Sequence, residues 1–187
     1  MVVSTNINAT QHPLMEEWWQ LYEEAFPATE RRSFLQHAAA MREPAFHCAH
    51  LADENGFAGI MAYWQWDELI YLEHLAIVGT RRSQGLGRQV LEMLAGNVIL
   101  EIEPVADVDT ARRLSFYESC GFQSLPQSHV QLAYQKGFPD IELWLLSRPG
   151  FNEAQVEQFE HLYHSIVMRY RDEAVLRMAR RYFNYHS

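Results

Sequence analysis

The chain is predicted to fold as one mixed α/β (α+β) domain, and three observations carry that expectation. Two strand-like segments flank Asp53-Glu54-Asn55-Gly56, a run with hairpin-turn chemistry, so the sheet begins antiparallel. After that hairpin, short apolar strands alternate with amphipathic helical stretches. At 187 residues the chain can bury one substantial core and is short for two.

Taken in order, Val2 to Ile7 reads as a first strand. A helix follows from near Pro13, a residue suited to the first helical turn, and presents Leu14, Trp18, Leu21, Tyr22 and Ala25 on one side until Pro27 stops it. A second helix is expected from Glu30 to about Met41, capped by Thr29. Phe46 to Ala52 and Phe57 to Trp66 are the hairpin strands, and Leu69 to Val78 is a further strand rich in β-branched, aromatic and aliphatic residues. The helix after Gly87 carries Val90, Leu91 and Leu94 and ends at Gly96-Asn97. Val98 to Ile102 is a buried strand stopped by Pro104, and a helix from Asp109 to Cys120 ends at Gly121. Strand signal is weak at Val130 to Ala133 and clear at Ile141 to Leu146. From Asn152, the residues Val156, Phe159, Tyr163, Ile166 and Tyr170 recur at helical spacing, which predicts a helical tail.

Composition narrows the function. A hydrophobic content of 48% with 21% charged residues is that of a soluble globular protein. No stretch is long and apolar enough to cross a membrane, and the N-terminus lacks the layout of a signal peptide, so a cytoplasmic protein with no membrane partner is expected. Cys48 and Cys120 fit no disulfide or metal-ligand spacing and are read as free thiols. The pairs His47/His50 and His161/His164 match no zinc pattern, so no metal is expected. A net charge of −9 opposes general binding to nucleic acid and is compatible with a cationic or neutral small substrate.

The most informative stretch runs from Leu75 to Leu91: an apolar strand enters a basic, glycine-containing loop that leads directly into a helix. Unpaired N–H groups and the positive dipole end at such a helix start make an anion site. Gly85 and Gly87 permit close approach to the backbone, and Arg81, Arg82 and Arg88 add positive charge. The loop is neither a dinucleotide fingerprint, since Val90 stands where a third glycine would be, nor a P-loop.

Combined with its neighbours, this loop resembles that of the GNAT acyltransferase superfamily, whose pyrophosphate loop reads Arg/Gln-x-x-Gly-x-Gly/Ala. Here it is Arg82-Ser83-Gln84-Gly85-Leu86-Gly87. Leu75-Ala76-Ile77 is similar to the family's strand end, and Phe116-Tyr117-Glu118-Ser119-Cys120-Gly121-Phe122 to its Phe-Tyr-x-x-x-Gly-Phe helix end. Three departures are Ser83 where glycine is common, Gly79 in place of proline, and Thr110 and Arg113 near a usual asparagine.

The resemblance implies a mixed, mostly antiparallel central sheet flanked by helices. It implies a GNAT-like acyltransferase domain over residues 1–150, with 151–187 as a C-terminal helical extension packed on that domain or in a homodimer. The implied activity is direct transfer of an acetyl group from acetyl-CoA to a primary amine, of a small molecule or a peptide. Backbone from Ser83, Gln84, Gly85 and Gly87 through Arg88, with Arg82 or Arg88 adding charge-assisted bonds, would hold the pyrophosphate, and the strand at Leu75 and Ile77 would meet the pantetheine arm. Strict alternation puts Glu73 on the face of Ile77, where it would be the general base, with His74, facing away unless a bulge intervenes, as the second choice; Tyr117 would protonate the leaving thiolate or hydrogen-bond to its sulfur. A non-catalytic acyl-CoA-binding protein, or a phosphate-binding interaction module, is the alternative.

Overall fold

The computed structural model describes residues 1–171. Its elements are β1 (Val3–Asn6), α1 (Met15–Ala25), α2 (Phe34–Ala40), β2 (Phe46–Asp53), β3 (Gly56–Trp66), β4 (Leu69–Ile77), α3 (Leu86–Met93), β5 (Asn97–Ile102), α4 (Val108–Ser119), β6 (Gln123–Gln131), β7 (Ile141–Ser147) and α5 (Glu153–Leu162). The strands form one sheet in the order β1-β2-β3-β4-β5-β7-β6. Neighbours are antiparallel except β4 and β5, which run parallel. This is the mixed, mostly antiparallel arrangement expected.

Most boundaries fall within a residue or two of those predicted, with two instructive differences. The second helix starts at Phe34 rather than Glu30. Ser33, not Thr29, is its cap: Ser33 accepts from the Gln36 backbone while the Gln36 side chain returns to the Ser33 backbone. Residues 28–32 are thereby released from the helix into a loop. Strand β6 is much longer than its weak apolar signal, since it pairs with β7 from Gln123 to Gln131 across an irregularity between Ser124 and Ser128. As an edge strand it tolerates Pro126 and a largely polar outer face.

The sheet separates two cores. On one face α1, α2 and the C-terminal segment bury Trp18, Tyr22, Trp64, Tyr71, Phe159 and Tyr163. On the other, α3 and α4 cover Met61, Leu72, Val90, Leu91, Leu100 and Phe122. The Trp18 indole N–H, though wholly buried, donates to the Ala49 carbonyl at 3.0 Å, so its burial leaves no polar group unpaired. Helix α5, boxed at its start by Asn152 and Gln155, continues into a π-helical turn Tyr163–Val167 and a 3-10 turn Met168–Arg171. Phe159, Tyr163 and Val167 are fully buried within the first core. Residues 172–187 of the expected tail lie outside the described residues.

A buried charge pair ties these parts together. Arg32, in the loop before α2, places its guanidinium 2.5 Å from Glu73 of β4, and both side chains are sealed from solvent. The same guanidinium donates to the Val167 carbonyl at 3.1 Å and lies over the rings of Tyr134, Trp64 and Phe46. Glu73 also accepts from the Tyr134 hydroxyl at 2.7 Å and the Trp64 indole at 3.0 Å. Burial pushes the Glu73 carboxyl up, and the Arg32 charge, His74 and the hydrogen bonds from Tyr134 and Arg32 together more than offset this, leaving it below the ordinary carboxylate range.

A second buried cluster joins β5, β6 and α5. His129 lies between Glu101, at 2.5 Å from its Nε2, and Glu160 of α5, at 2.7 Å from its Nδ1. Burial disfavours the imidazolium, but the two carboxylates prevail and raise His129 to about 9.

Two predictions follow from these pairs. Glu73→Gln leaves Arg32 as an unpaired buried charge and is expected to lower unfolding free energy by about 3–5 kcal/mol in a denaturant titration; an unchanged midpoint would refute a structural role. His129, raised above its unfolded value, contributes stability that is full below about pH 6.5 and is lost as pH rises through about 9. Melting curves of the wild type should therefore fall across that window relative to those of His129→Gln, and parallel curves would show the imidazolium to be unimportant.

Candidate active site

The site is created where β4 and β5 part. They pair from Leu69 and Asn97 to Leu72 and Leu100, and β4 then runs on to Ile77 without β5 beside it. The cause is a bulge. Tyr63 faces Leu72, but the next residue back, Ala62, faces His74, so Glu73 is an extra residue with no partner on β3. A bulge bends and twists its strand, which here carries the end of β4 away from β5.

The extra residue also shifts the alternation of side chains. Glu73 contacts Trp64 and Tyr134, and His74 contacts Tyr22, Phe26 and Tyr134, all on the face covered by α1 and α2. Leu75 and Ile77 instead pack with the second core. The expectation that Glu73 shares the face of Ile77 while His74 opposes it is therefore corrected: Glu73 and His74 lie together, and Ile77 is opposite. Past the bulge, Val78 N–H donates to the Ala58 carbonyl at 3.0 Å, which fixes the ladder's phase. The N–H and C=O groups of Leu75 and Ile77 then point away from β3, into the gap.

A cleft of about 820 Å³ occupies this gap. It brings together Glu73, Leu75, Ile77, Arg82, Ser83, Gly85, Gly87, Arg88 and Tyr117 from the sequence-derived set, but not Gln84. The Gln84 side chain instead approaches the Thr80 carbonyl at 3.4 Å.

One end of the cleft is the loop between β4 and α3. Ser83 (φ 62°) and Gly85 (φ 76°) both adopt the left-handed conformation, turning successive N–H groups toward one side. Ser83 bears a side chain in that conformation, which accounts for the frequency of glycine at the matching family position. Helix α3 has no side-chain cap at Gly85, so its first-turn N–H groups remain available. A Cβ at Gly87 would sit 3.0 Å from the Phe116 ring of α4, a tight contact to which the ring would have to yield.

The arginines divide by role. Arg81 is bound to Asp53 at 2.6 Å and to the Gly56 and Phe57 carbonyls at 3.1 Å, which fastens the loop to the β2–β3 hairpin. Arg88 donates to the carbonyl and hydroxyl of Ser119 at 2.8 and 3.0 Å, closing the end of α4. Its guanidinium is therefore already engaged, contrary to the part expected for it at a phosphate. Arg82 is exposed, with a single 3.3 Å contact to the Ile77 carbonyl, and is the arginine free to meet an anion.

At the other end stand the titratable groups. Tyr117 makes no hydrogen bond among the described residues, and burial pushes its hydroxyl up to about 12, so it stays protonated near neutrality. Glu73, expected as the base, has its two oxygens bonded by three donors and its proton affinity lowered, which opposes proton uptake. The His74 Nε2 is 3.0 Å from the Glu30 carbonyl and its Nδ1 is buried without a partner. Burial lowers the affinity of His74 for a proton, so the ring is neutral.

Glu30, Glu101, Glu103, Arg113 and Gln131 also line the cleft and were not singled out from the sequence as site residues. In sequence, Glu30-Arg31-Arg32 reads as a helix-start charge cluster, at the place where the family resemblance puts an acceptor lid able to contact substrate. The signal available was Glu103 at a strand end just before Pro104, where parallel strands deliver functional residues.

The arrangement agrees with comparisons to known proteins. Residues 44–124 match the family model of the acetyltransferase (GNAT) domain. The chain is 26% identical over 177 residues to YjbC of Bacillus subtilis (strain 168), named as a candidate acetyltransferase, covering 91% of this chain and 81% of that one. A GNAT-family structure from Bacteroides thetaiotaomicron superposes with a TM-score of 0.82 at 26% identity, covering 89% of this chain and 98% of the other. A GNAT acetyltransferase from Elizabethkingia anophelis, solved with acetyl-CoA bound, shares the fold with a TM-score of 0.50 at 13% identity, covering 79% and 97%. The splayed strands, the left-handed loop and the Tyr117 helix end, together in one cleft, agree with the match of residues 44–124 to the GNAT acetyltransferase domain and with the fold shared with GNAT-family structures.

Proposed function

We propose that the protein transfers an acetyl group from acetyl-CoA to a primary amine by direct attack of the amine on the thioester. One observation carries the reading: the unpaired edge of β4 opens onto the uncapped N-terminus of α3 within a single cleft. A ligand suited to it has a phosphate group at one end and an amide-bearing arm at the other, as acetyl-CoA has.

The chain's groups divide the work. Backbone N–H groups from Ser83 to Arg88 meet the pyrophosphate, and the exposed Arg82 adds a charge-assisted bond. The N–H and C=O groups of Leu75 and Ile77 pair with the pantetheine amides as a further strand would. A backbone N–H near Ile77 that the pantetheine arm leaves unpaired would stabilise the oxyanion formed on attack. Tyr117, protonated and without a partner, gives its proton to the departing thiolate. The ionised Glu73 supplies fixed negative charge on the acceptor side and does not itself move a proton.

Calorimetric titration with acetyl-CoA, using ATP as the control, tests the reading; binding no tighter than that of ATP would overturn it. Arg82→Ala is expected to weaken acetyl-CoA binding about tenfold with thermal stability unchanged, whereas Arg81→Ala should lower stability first. Tyr117→Phe is expected to lower kcat by about 10–100-fold while the acetyl-CoA Kd stays the same, and equal kcat values would remove Tyr117 from the mechanism.

A further inference from the structure

The geometry points to Glu30 as the residue that receives the acceptor amine and takes its proton. This rests on the acetyl-transfer reading above and names the acceptor side of that same site.

Everything around Glu30 is tied down except its carboxylate. Its carbonyl accepts from His74 Nε2 at 3.0 Å, and its N–H donates to the Pro27 carbonyl at 2.9 Å. Gln135 donates to the carbonyls of Ala28 and Arg31, both at 3.2 Å, bracketing it in the chain. Arg31 is bound to Glu23 and to the Phe26 carbonyl, and Arg32 is locked on Glu73. The loop is thus rigid, and it presents a half-buried carboxylate to the cleft with neither hydrogen bond nor ion pair among the described residues. A positioned acceptor with open lone pairs is what proton removal requires. Glu73 offers the opposite: a saturated carboxylate closed off from solvent.

The titratable and charged surroundings of Glu30 come from three elements. His74 of β4 is neutral; Glu103 follows β5 and is paired with Arg113 of α4; Tyr117 stands one helical turn beyond Arg113. Burial and then Glu103 raise the Glu30 carboxyl above its ordinary value, with Arg113 acting against them. A raised carboxyl suits a base that must take up a proton near neutrality and release it again.

The proton and electron balance is as follows. Glu30 takes one proton from the ammonium, and the freed nitrogen lone pair forms the C–N bond at the thioester carbonyl. The C–S bond breaks, the thiolate takes the Tyr117 proton, and the second proton shed by nitrogen restores Tyr117 through solvent. Glu30 returns its proton to solvent. A protonated primary amine is thus the acceptor form recognised, with the Glu30 charge drawing it into the cleft.

The test measures coenzyme release from acetyl-CoA with benzylamine, spermidine and an alanine-initiated peptide as probes, for the wild type, Glu30→Gln and Glu30→Asp. Glu30→Gln is expected to lower kcat/KM about 100-fold or more, with acetyl-CoA affinity and melting temperature unchanged. The wild-type kcat/KM should fall as pH drops through the Glu30 titration, and that acid limb should be absent in Glu30→Gln and present in a partly active Glu30→Asp. A Glu30→Gln protein with kcat/KM within about threefold of the wild type, or a slow one keeping the same acid limb, overturns the role of Glu30 and leaves acetyl transfer standing. A wild type that fails to bind acetyl-CoA, or binds it and acetylates none of the probes, overturns both.

Discussion

The buried pair of Arg32 and Glu73 is the constraint on which the acceptor side of this molecule depends. Two charges taken out of water incur several kcal/mol each in desolvation, so the pair persists because most of the lone pairs and protons around it find partners, although the buried Arg32 Nε–H makes no hydrogen bond among the described residues. Arg32 supplies the Glu73 contact and the Val167 carbonyl contact, and Tyr134 and Trp64 complete the carboxylate. Four separate regions of chain therefore meet at one point: the loop before α2, the middle of the sheet, the segment after β6 and the C-terminal turns. None can move far without exposing or orphaning a charge. The loop carrying Glu30 inherits its rigidity from this pair, and the carboxylate of Glu73 is held in a structural state by it.

The proposed coenzyme side follows from a different constraint, backbone geometry. One extra residue at position 73 separates β4 from β5 and turns the N–H and C=O groups of Leu75 and Ile77 into the gap. The same strand then delivers the loop whose left-handed residues aim N–H groups at the cleft. Arginine charge plays a smaller part than its abundance in the loop suggests, because Arg81 and Arg88 hold the loop and α4 in place. Fixed amide dipoles need little reorganisation on binding an anion, whereas mobile guanidinium groups must be ordered. The two halves of the cleft are thus built on unlike physics: oriented backbone at one end, buried and half-buried ionisable groups at the other.

Much of this was readable from residue order because it is local. Hairpin chemistry at Asp53 to Gly56, the apolar run of β4, the stop at Gly121 and the Gly85/Gly87 loop all act over a few residues, and each is found where expected. The start of α2 was misplaced because two capping residues competed, and the reciprocal Ser33/Gln36 bond outweighed Thr29. Strand β6 was largely hidden, since an edge strand with one exposed face carries little apolar pattern.

By itself, the sequence determined the succession of elements, the mixed sheet, the basic glycine-containing loop at the start of α3 and the position of Tyr117, because propensity, capping and periodicity depend on near neighbours. Only the tertiary structure decided the bulge at Glu73, and with it which face Glu73 and His74 share, because register is set by pairing between distant segments. The fates of the charged side chains were decided in the same way. Arg32, Arg81 and Arg88 became structural, and Glu30 was left open to the cleft, according to partners 24 to 135 residues away along the chain. A charge alone in a sequence has no assigned partner; folding supplies one, or leaves it free to act.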